Sequence, residues 1–146
     1  MKLKKELCDK FPSVLRKRLL SGELELPDTA KFSYEPIQAY RVVEREKEDY
    51  REIDRDDFRS YYELKKTPKK PRGVRDITKN PNYYGVSLFL DRKSVEQQMK
   101  FPRPNKKMAV GYIKQEGGPQ ETNTKTKHVC WWLFEDADVT GFCLEE

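Results

Sequence analysis

Apolar and polar positions alternate most clearly in "IQAYRVVE", residues 37–44, where Ile37, Ala39, Arg41 and Val43 share one face of a predicted strand. A different period governs residues 3–20. There Leu3, Leu7, Cys8, Phe11, Val14, Leu15 and Leu19 recur at helical spacing, with Lys and Arg between them. Pro12 falls inside that pattern and should kink or split the helix, and Ser21-Gly22 is the predicted stop. Residues 23–36, punctuated by Pro27 and Pro36, read as a loop. From Asp54, "DRDDFRSYYELKK" predicts an Asp-capped helix with Phe58, Tyr61 and Tyr62 on one side. Then follow a strand at 83–90, a helix from Ser94 to Lys100 and an alternating strand at 106–114. "EGGPQETNTKT", 116–126, reads as a mobile polar loop, "HVCWWLF", 128–134, as the most hydrophobic and central strand, and "VTGFCL", 139–144, as the last strand. Trp131 and Trp132, adjacent on one strand, should point to opposite faces, one into the main core and one under a helix or partner. No repeat or long linker divides the chain. The expectation is a single α+β domain over residues 1–146, with a mostly antiparallel sheet, an N-terminal amphipathic helix and two further helices.

Composition sharpens this picture. Of 146 residues, 36% are hydrophobic and 38% charged, so the core must lean on the 12% that are aromatic. The net charge of +5 is too mild to imply nucleic-acid binding by itself. Its distribution says more: residues 44–57 are mostly acidic with Arg and Lys interspersed, whereas "KKTPKKPRGVR", 65–75, carries six Lys or Arg and no acid. Pro68, Pro71 and Gly73 make 65–75 an exposed loop. It reads as a solvated basic loop or as one that contacts phosphates through Lys69, Lys70, Arg72 and Arg75. Three cysteines give no disulfide framework and suggest a reducing compartment. The charged N-terminus lacks a signal peptide's apolar stretch and no apolar run reaches membrane-spanning length, so a cytoplasmic soluble protein is expected.

Candidate chemistry is sparse. His128, Cys130 and Cys143 are too few and wrongly spaced for zinc, so no metal is expected. His128 and Cys130, two apart on a strand, point the same way but make a poor nucleophile–base pair. Asp54, Asp56 and Asp57 are the acids expected at a helix start. Arg41 shares a face with three apolar residues, either as an end-of-strand arginine with a buried stem or as a cleft arginine aimed at a ligand. Gly85 and Ser87 are small residues inside a good strand, there either for packing or because something approaches that backbone closely.

Residues 37–144 resemble the ADP-ribosyltransferase fold in the order of their signals. "AYRVV" is similar to the family's Arg-centred first-strand motif, and "YYGVSLFLDRKSVEQQ" to its Tyr/Phe-Gly-x-Gly strand, with Gly85 and Ser87 at the two small positions. "MAVGYIKQEGG" and "HVCWWLFEDADVTGFCL" are similar to its later strands in outline. The resemblance implies NAD in a cleft between the strands of Arg41 and Ser87. Arg41 would contact the phosphates, Ser87 the ribose, and Tyr83 or Tyr84 would stack on nicotinamide beside Gly85. The family's catalytic glutamate would fall near Val129 or Cys130, so the acid that stabilises a cationic ribosyl transition state would be Glu135 or Glu121. Two other classes stand beside this one. One is a nucleic-acid or nucleotide-phosphate binding module built on 65–75, Lys106, Lys107 and the tyrosines. The other is a non-catalytic protein-interaction protein that buries its N-terminal helix and the Trp131-Trp132 strand against a partner.

Overall fold

The computed structural model describes residues 3–65, 75–99 and 105–145. Its N-terminal pattern forms two helices, α1 (Lys5–Cys8) and α2 (Ser13–Ser21). Pro12 caps α2, and Gly22 ends it with φ +79°, a left-handed conformation that glycine adopts without a Cβ penalty. The break expected at Pro12 and the stop at Gly22 are both present.

Six strands follow: β1 (Ile37–Glu44), β2 (Val86–Phe89), β3 (Lys106–Ile113), β4 (Gln120–Asn123), β5 (His128–Trp131) and β6 (Cys143–Leu144). They form one sheet in the order β4-β5-β2-β1-β3-β6, antiparallel throughout. A third helix, α3 (Arg92–Met99), leads from β2 towards β3 and packs across β1 and β2. The chain is therefore α+β. Among the described residues, no helix is long and apolar enough to cross a membrane.

The ladder between β1 and β3 is complete, from Ile37 opposite Ile113 to Glu44 opposite Lys106. That between β1 and β2 is a single pair, Tyr40 opposite Phe89. Continued, it would set Val42 opposite Ser87, but the carbonyl of Ser87 accepts instead from Arg41 Nη1 at 2.8 Å. A side chain thus replaces the backbone donor, and the two strands part beyond Tyr40.

Both faces of the sheet are packed. Ala39, Val43, Val86, Leu88, Val129 and Trp131 lie under Ile53, Phe58, Val139 and Phe142 from the connecting segments. On the opposite face Cys130 and Trp132 lie under Phe11 and Leu15 of the N-terminal helices, with Leu24, Leu26 and Tyr84. The two tryptophans therefore serve different cores, and each ring nitrogen has a carbonyl partner: Trp131 Nε1 donates to Gly118 O at 3.1 Å and Trp132 Nε1 to Pro81 O at 2.9 Å.

Five elements differ from the sequence reading. The strand expected at 83–90 begins only at Val86, because Asn80 caps a 3-10 turn over Pro81–Tyr84, so Gly85 precedes the strand. The segment from Asp54 is one 3-10 turn, Arg55–Asp57, because Phe58 leaves helical geometry at φ −121°, ψ 64°. Within 116–126, expected as a mobile loop, lies β4, paired residue for residue with β5. The Gly117-Gly118 step before it is buried, and a Cβ on Gly118 would lie 2.2 Å from the Trp132 carbonyl oxygen. β5 stands one strand in from the β4 edge, with β2 and β1 at the centre. Only Cys143–Leu144 of the last predicted strand pairs with β3.

Because each tryptophan fills a separate core, Trp131→Ala and Trp132→Ala should each lower unfolding free energy by about 3–5 kcal/mol. Urea denaturation followed by far-UV circular dichroism measures this. A loss below about 1 kcal/mol for either variant would contradict the packing described.

Candidate ligand-binding cleft

Where β1 and β2 part, a cleft of about 350 Å³ opens. Val42 and Glu44 of β1, Gly85, Ser87 and Phe89 at and along β2, and Lys106 of β3 line one side. Arg51, Asp54, Asp56, Asp57, Arg59, Tyr61 and Leu64 line the other, with Arg41 between the strands.

The second wall has almost no regular structure, and arginines hold it. The Arg45 side chain is fully buried and uses all five of its N–H groups. Two go to Asp57 as a bidentate pair, at 2.9 and 2.7 Å. The others go to Asp49 Oδ1 at 3.2 Å, Arg51 O at 2.8 Å and Glu52 O at 2.9 Å. Asp57 also accepts from the Asp54 N–H, while Asp54 caps the turn through the Asp56 N–H. Burial alone would raise the Asp57 pKa. The bonds from Arg45 and the Asp54 N–H outweigh it and hold the carboxyl below the usual aspartate range.

Arg41 spans the gap. Its guanidinium donates to the carbonyls of Ser87 at 2.8 Å, Asp57 at 3.3 Å and Arg59 at 3.2 Å, and lies 5.8 Å from the Phe58 ring centre. Burial lowers its pKa to about 10. Arg41 stands in mid-strand, not at the strand end as one reading had it, and it lines the cleft. Three of its five donors are taken by carbonyls. Arg55 donates to the carbonyls of Phe58, Leu133 and Phe134, tying the wall to the segment after β5. Arg59 bonds Asp56, Glu63 and Glu135 at 2.9–3.0 Å. Burial works against its charge, but these three carboxylates outweigh it and raise its pKa.

Gly85 and Ser87 prove to be small for different reasons. A Cβ on Gly85 would lie 2.2 Å from Cys130 Sγ and 3.3 Å from Trp132 Nε1, so position 85 is small for packing. Ser87 is half-buried, and its Oγ lies 2.7 Å from His128 Nε2. Burial lowers the His128 pKa while the Glu121 carboxylate opposes that shift. Sequence reasoning judged His128 and Cys130 a poor pair, and the Cys130 thiol is fully buried, its pKa pushed up by that burial. The Ser87–His128 contact runs diagonally across the β2–β5 ladder, between the Ser87↔Cys130 and Phe89↔His128 pairs, so it required the strand register.

The remaining candidates are dispersed. Tyr84 is buried on the N-terminal helix side, donates its hydroxyl to Thr78 O at 2.7 Å and packs with Tyr83 and Tyr62. Neither Tyr83 nor Tyr84 lines the cleft; its aromatic side chains are Tyr61 and Phe89. Glu135 is held by Arg59 and Glu121 by the Thr29 hydroxyl, and neither borders the cleft. Its acids are Glu44, Asp54, Asp56 and Asp57. Lys69, Lys70 and Arg72 lie outside the described residues, and Arg75 is exposed where the description resumes. Lys106 lines the cleft, whereas Lys107 donates to Asp49 O at 2.6 Å and sits 3.9 Å from the Tyr50 ring centre. Among the described residues, no group of three or more His, Cys, Asp or Glu is placed to hold a metal ion. Comparison of the chain with protein-family models, with curated proteins and with solved structures gave no match.

Two predictions follow from this geometry. Gly85→Ala should destabilise by about 1–3 kcal/mol through overpacking, and adding Cys130→Ala should recover part of that loss. Additive effects in a double-mutant cycle would refute a direct collision. Removing one partner of the Arg45–Asp57 pair, as in Asp57→Asn, should cost about 3–5 kcal/mol by leaving the buried guanidinium with only the more exposed Asp49 carboxylate to offset its charge. The Asp57 pKa is depressed by folding. Its stabilisation is therefore present above the ordinary aspartate value of about 3.9 and lost as pH falls through the lower folded value. Thermal melts from pH 6 to pH 2 should show an acid limb that is shallower in Asp57→Asn; an unchanged limb would contradict the assignment.

Proposed function

We propose that this chain is an NAD-binding protein of the ADP-ribosyltransferase type, with the nicotinamide–ribose end of the dinucleotide in the cleft between β1 and β2. One observation carries the reading: the cleft lies between the strand of Arg41 and the strand of Ser87, where the sequence resemblance calls for it, and carboxylates line it. Its volume of about 350 Å³ falls in the range of small-molecule sites.

Several roles change within this reading. Ser87 keeps the ribose contact. Arg41 offers the phosphates its two remaining N–H groups, and Lys106 adds positive charge on the same wall. Tyr61, which is 38% exposed, replaces Tyr83 and Tyr84 as the surface for nicotinamide to stack on. Asp56, whose side chain is 84% exposed and, among the described residues, pairs with Arg59, takes the acid role first given to Glu135 or Glu121. A carboxylate there would stabilise the positive charge that develops on the ribose as nicotinamide departs.

Isothermal calorimetry and thermal shift with millimolar NAD test the reading. Binding is expected, weakened by about 0.5–1.5 kcal/mol in Tyr61→Ala and by a similar amount in Ser87→Ala. Asp56→Asn should bind NAD about as well as the unaltered protein but release less nicotinamide. No heat and no shift at millimolar NAD would overturn it.

A further inference from the structure

A hydroxyl, an imidazole and a carboxylate stand on three neighbouring strands and on one face of the sheet. Ser87 of β2 is opposite Cys130 of β5, and Cys130 is opposite Glu121 of β4, so these three share a face. His128, two residues before Cys130, lies on that face too. Ser87 Oγ is 2.7 Å from His128 Nε2, within proton-transfer reach. The Phe89 ring meets the imidazole edge-on, at 5.5 Å between centres and 75° between planes, and fixes its orientation. Ser87 lines the cleft, so the pair is not sealed in the core.

We propose that Ser87 is a nucleophile with His128 as its general base, and that the cleft accepts an acyl ester. His128 Nε2 takes the Ser87 proton as Oγ bonds to the ester carbonyl carbon. The tetrahedral adduct then collapses, the carbon–oxygen bond to the alcohol breaks, and the alcohol leaves with the proton from His128. Water attacks the acyl-serine with His128 again as base, which releases the acid and restores Ser87. Lys106 on the cleft wall supplies positive charge for the oxyanion. Glu121 on the far side of the row favours the imidazolium formed at each transfer, and burial of the ring keeps the resting imidazole neutral near pH 7. The inference does not depend on NAD binding, since it needs only that the cleft admits an electrophile to Ser87.

An alkyl fluorophosphonate tests it directly: Ser87 Oγ would bond to phosphorus, fluoride would leave, and His128 would take the proton. Peptide mass mapping should place the adduct on Ser87 in the native protein and find none after urea denaturation. Ser87→Ala should abolish labelling. His128→Gln, which retains a hydrogen-bonding group but cannot take the proton, should slow it by about 100-fold or more. Circular dichroism and thermal melting establish that each variant is folded. Absence of an adduct at Ser87 in the folded, unaltered protein would overturn the proposal. So would equal labelling in denatured protein, or an unchanged rate in folded His128→Gln.

Discussion

The buried Arg45 guanidinium is the constraint on which the cleft depends. An arginine taken from water is tolerable only when every donor finds an acceptor and its charge finds an opposite. Here the acceptors come from residues 49–57: two carboxylates and the carbonyls of Arg51 and Glu52. Arg45 itself continues directly from β1, and its N–H donates to Asn105 O just before β3. The segment is thus fastened to the end of the β1–β3 ladder. Its position follows from the need to satisfy one side chain more than from any helix or strand of its own.

The same logic extends through the wall. An irregular segment leaves backbone carbonyls without ladder partners, and buried carbonyls need donors. Arg41 serves those of Asp57, Arg59 and Ser87, and Arg55 those of Phe58, Leu133 and Phe134. Planar guanidinium forks suit this work, since each can reach several acceptors from one fixed plane. Part of the 38% charged composition is therefore directed inward and does structural work. The sheet can open between β1 and β2 because Arg41 replaces the hydrogen bonds that the ladder gives up there.

Regular periodicity was legible in the sequence, and charge used as architecture was not. The alternation at 37–44 gave β1 to the residue, Pro12 and Gly22 gave the limits of α2, and Trp131 and Trp132 gave the two cores. The Asp54 segment read as a capped helix because its cap is real: Asp54 and Asp57 form a capping box, but around a single 3-10 turn. Beyond the turn, the carbonyls of Asp57 and Arg59 are taken by Arg41 from β1 and that of Phe58 by Arg55, and the Arg41 bonds leave no local signature. β4 was invisible because "QETN" has no apolar alternation, and its buried Gln120 pairs with Trp131 and Lys31, far from it in sequence. In the candidate site, the strands of Arg41 and Ser87 were set side by side by the family resemblance, while the residue pattern alone only singled out each one separately. The acids beside them could not be named, since Asp56 and Glu135 are separated only by which side of Arg59 each occupies.

Gly85 and Ser87 show how one strand edge changes character within two residues. Both project toward the β5 side chains, but the layer above them differs. At Gly85 the N-terminal helices press Cys130 and Trp132 against the strand, and there is no room even for a methyl group. At Ser87 that layer has ended. The neighbour is His128, the side chain is half-exposed, and a cleft replaces the packed residues. A reactive or binding group placed there gains precision from a strand that is fixed on one side and access from an opening on the other. A larger residue at 87 would extend over His128 and into the cleft, and alanine would leave the imidazole without its hydroxyl partner. Serine is the small residue that leaves the cleft open and still engages His128.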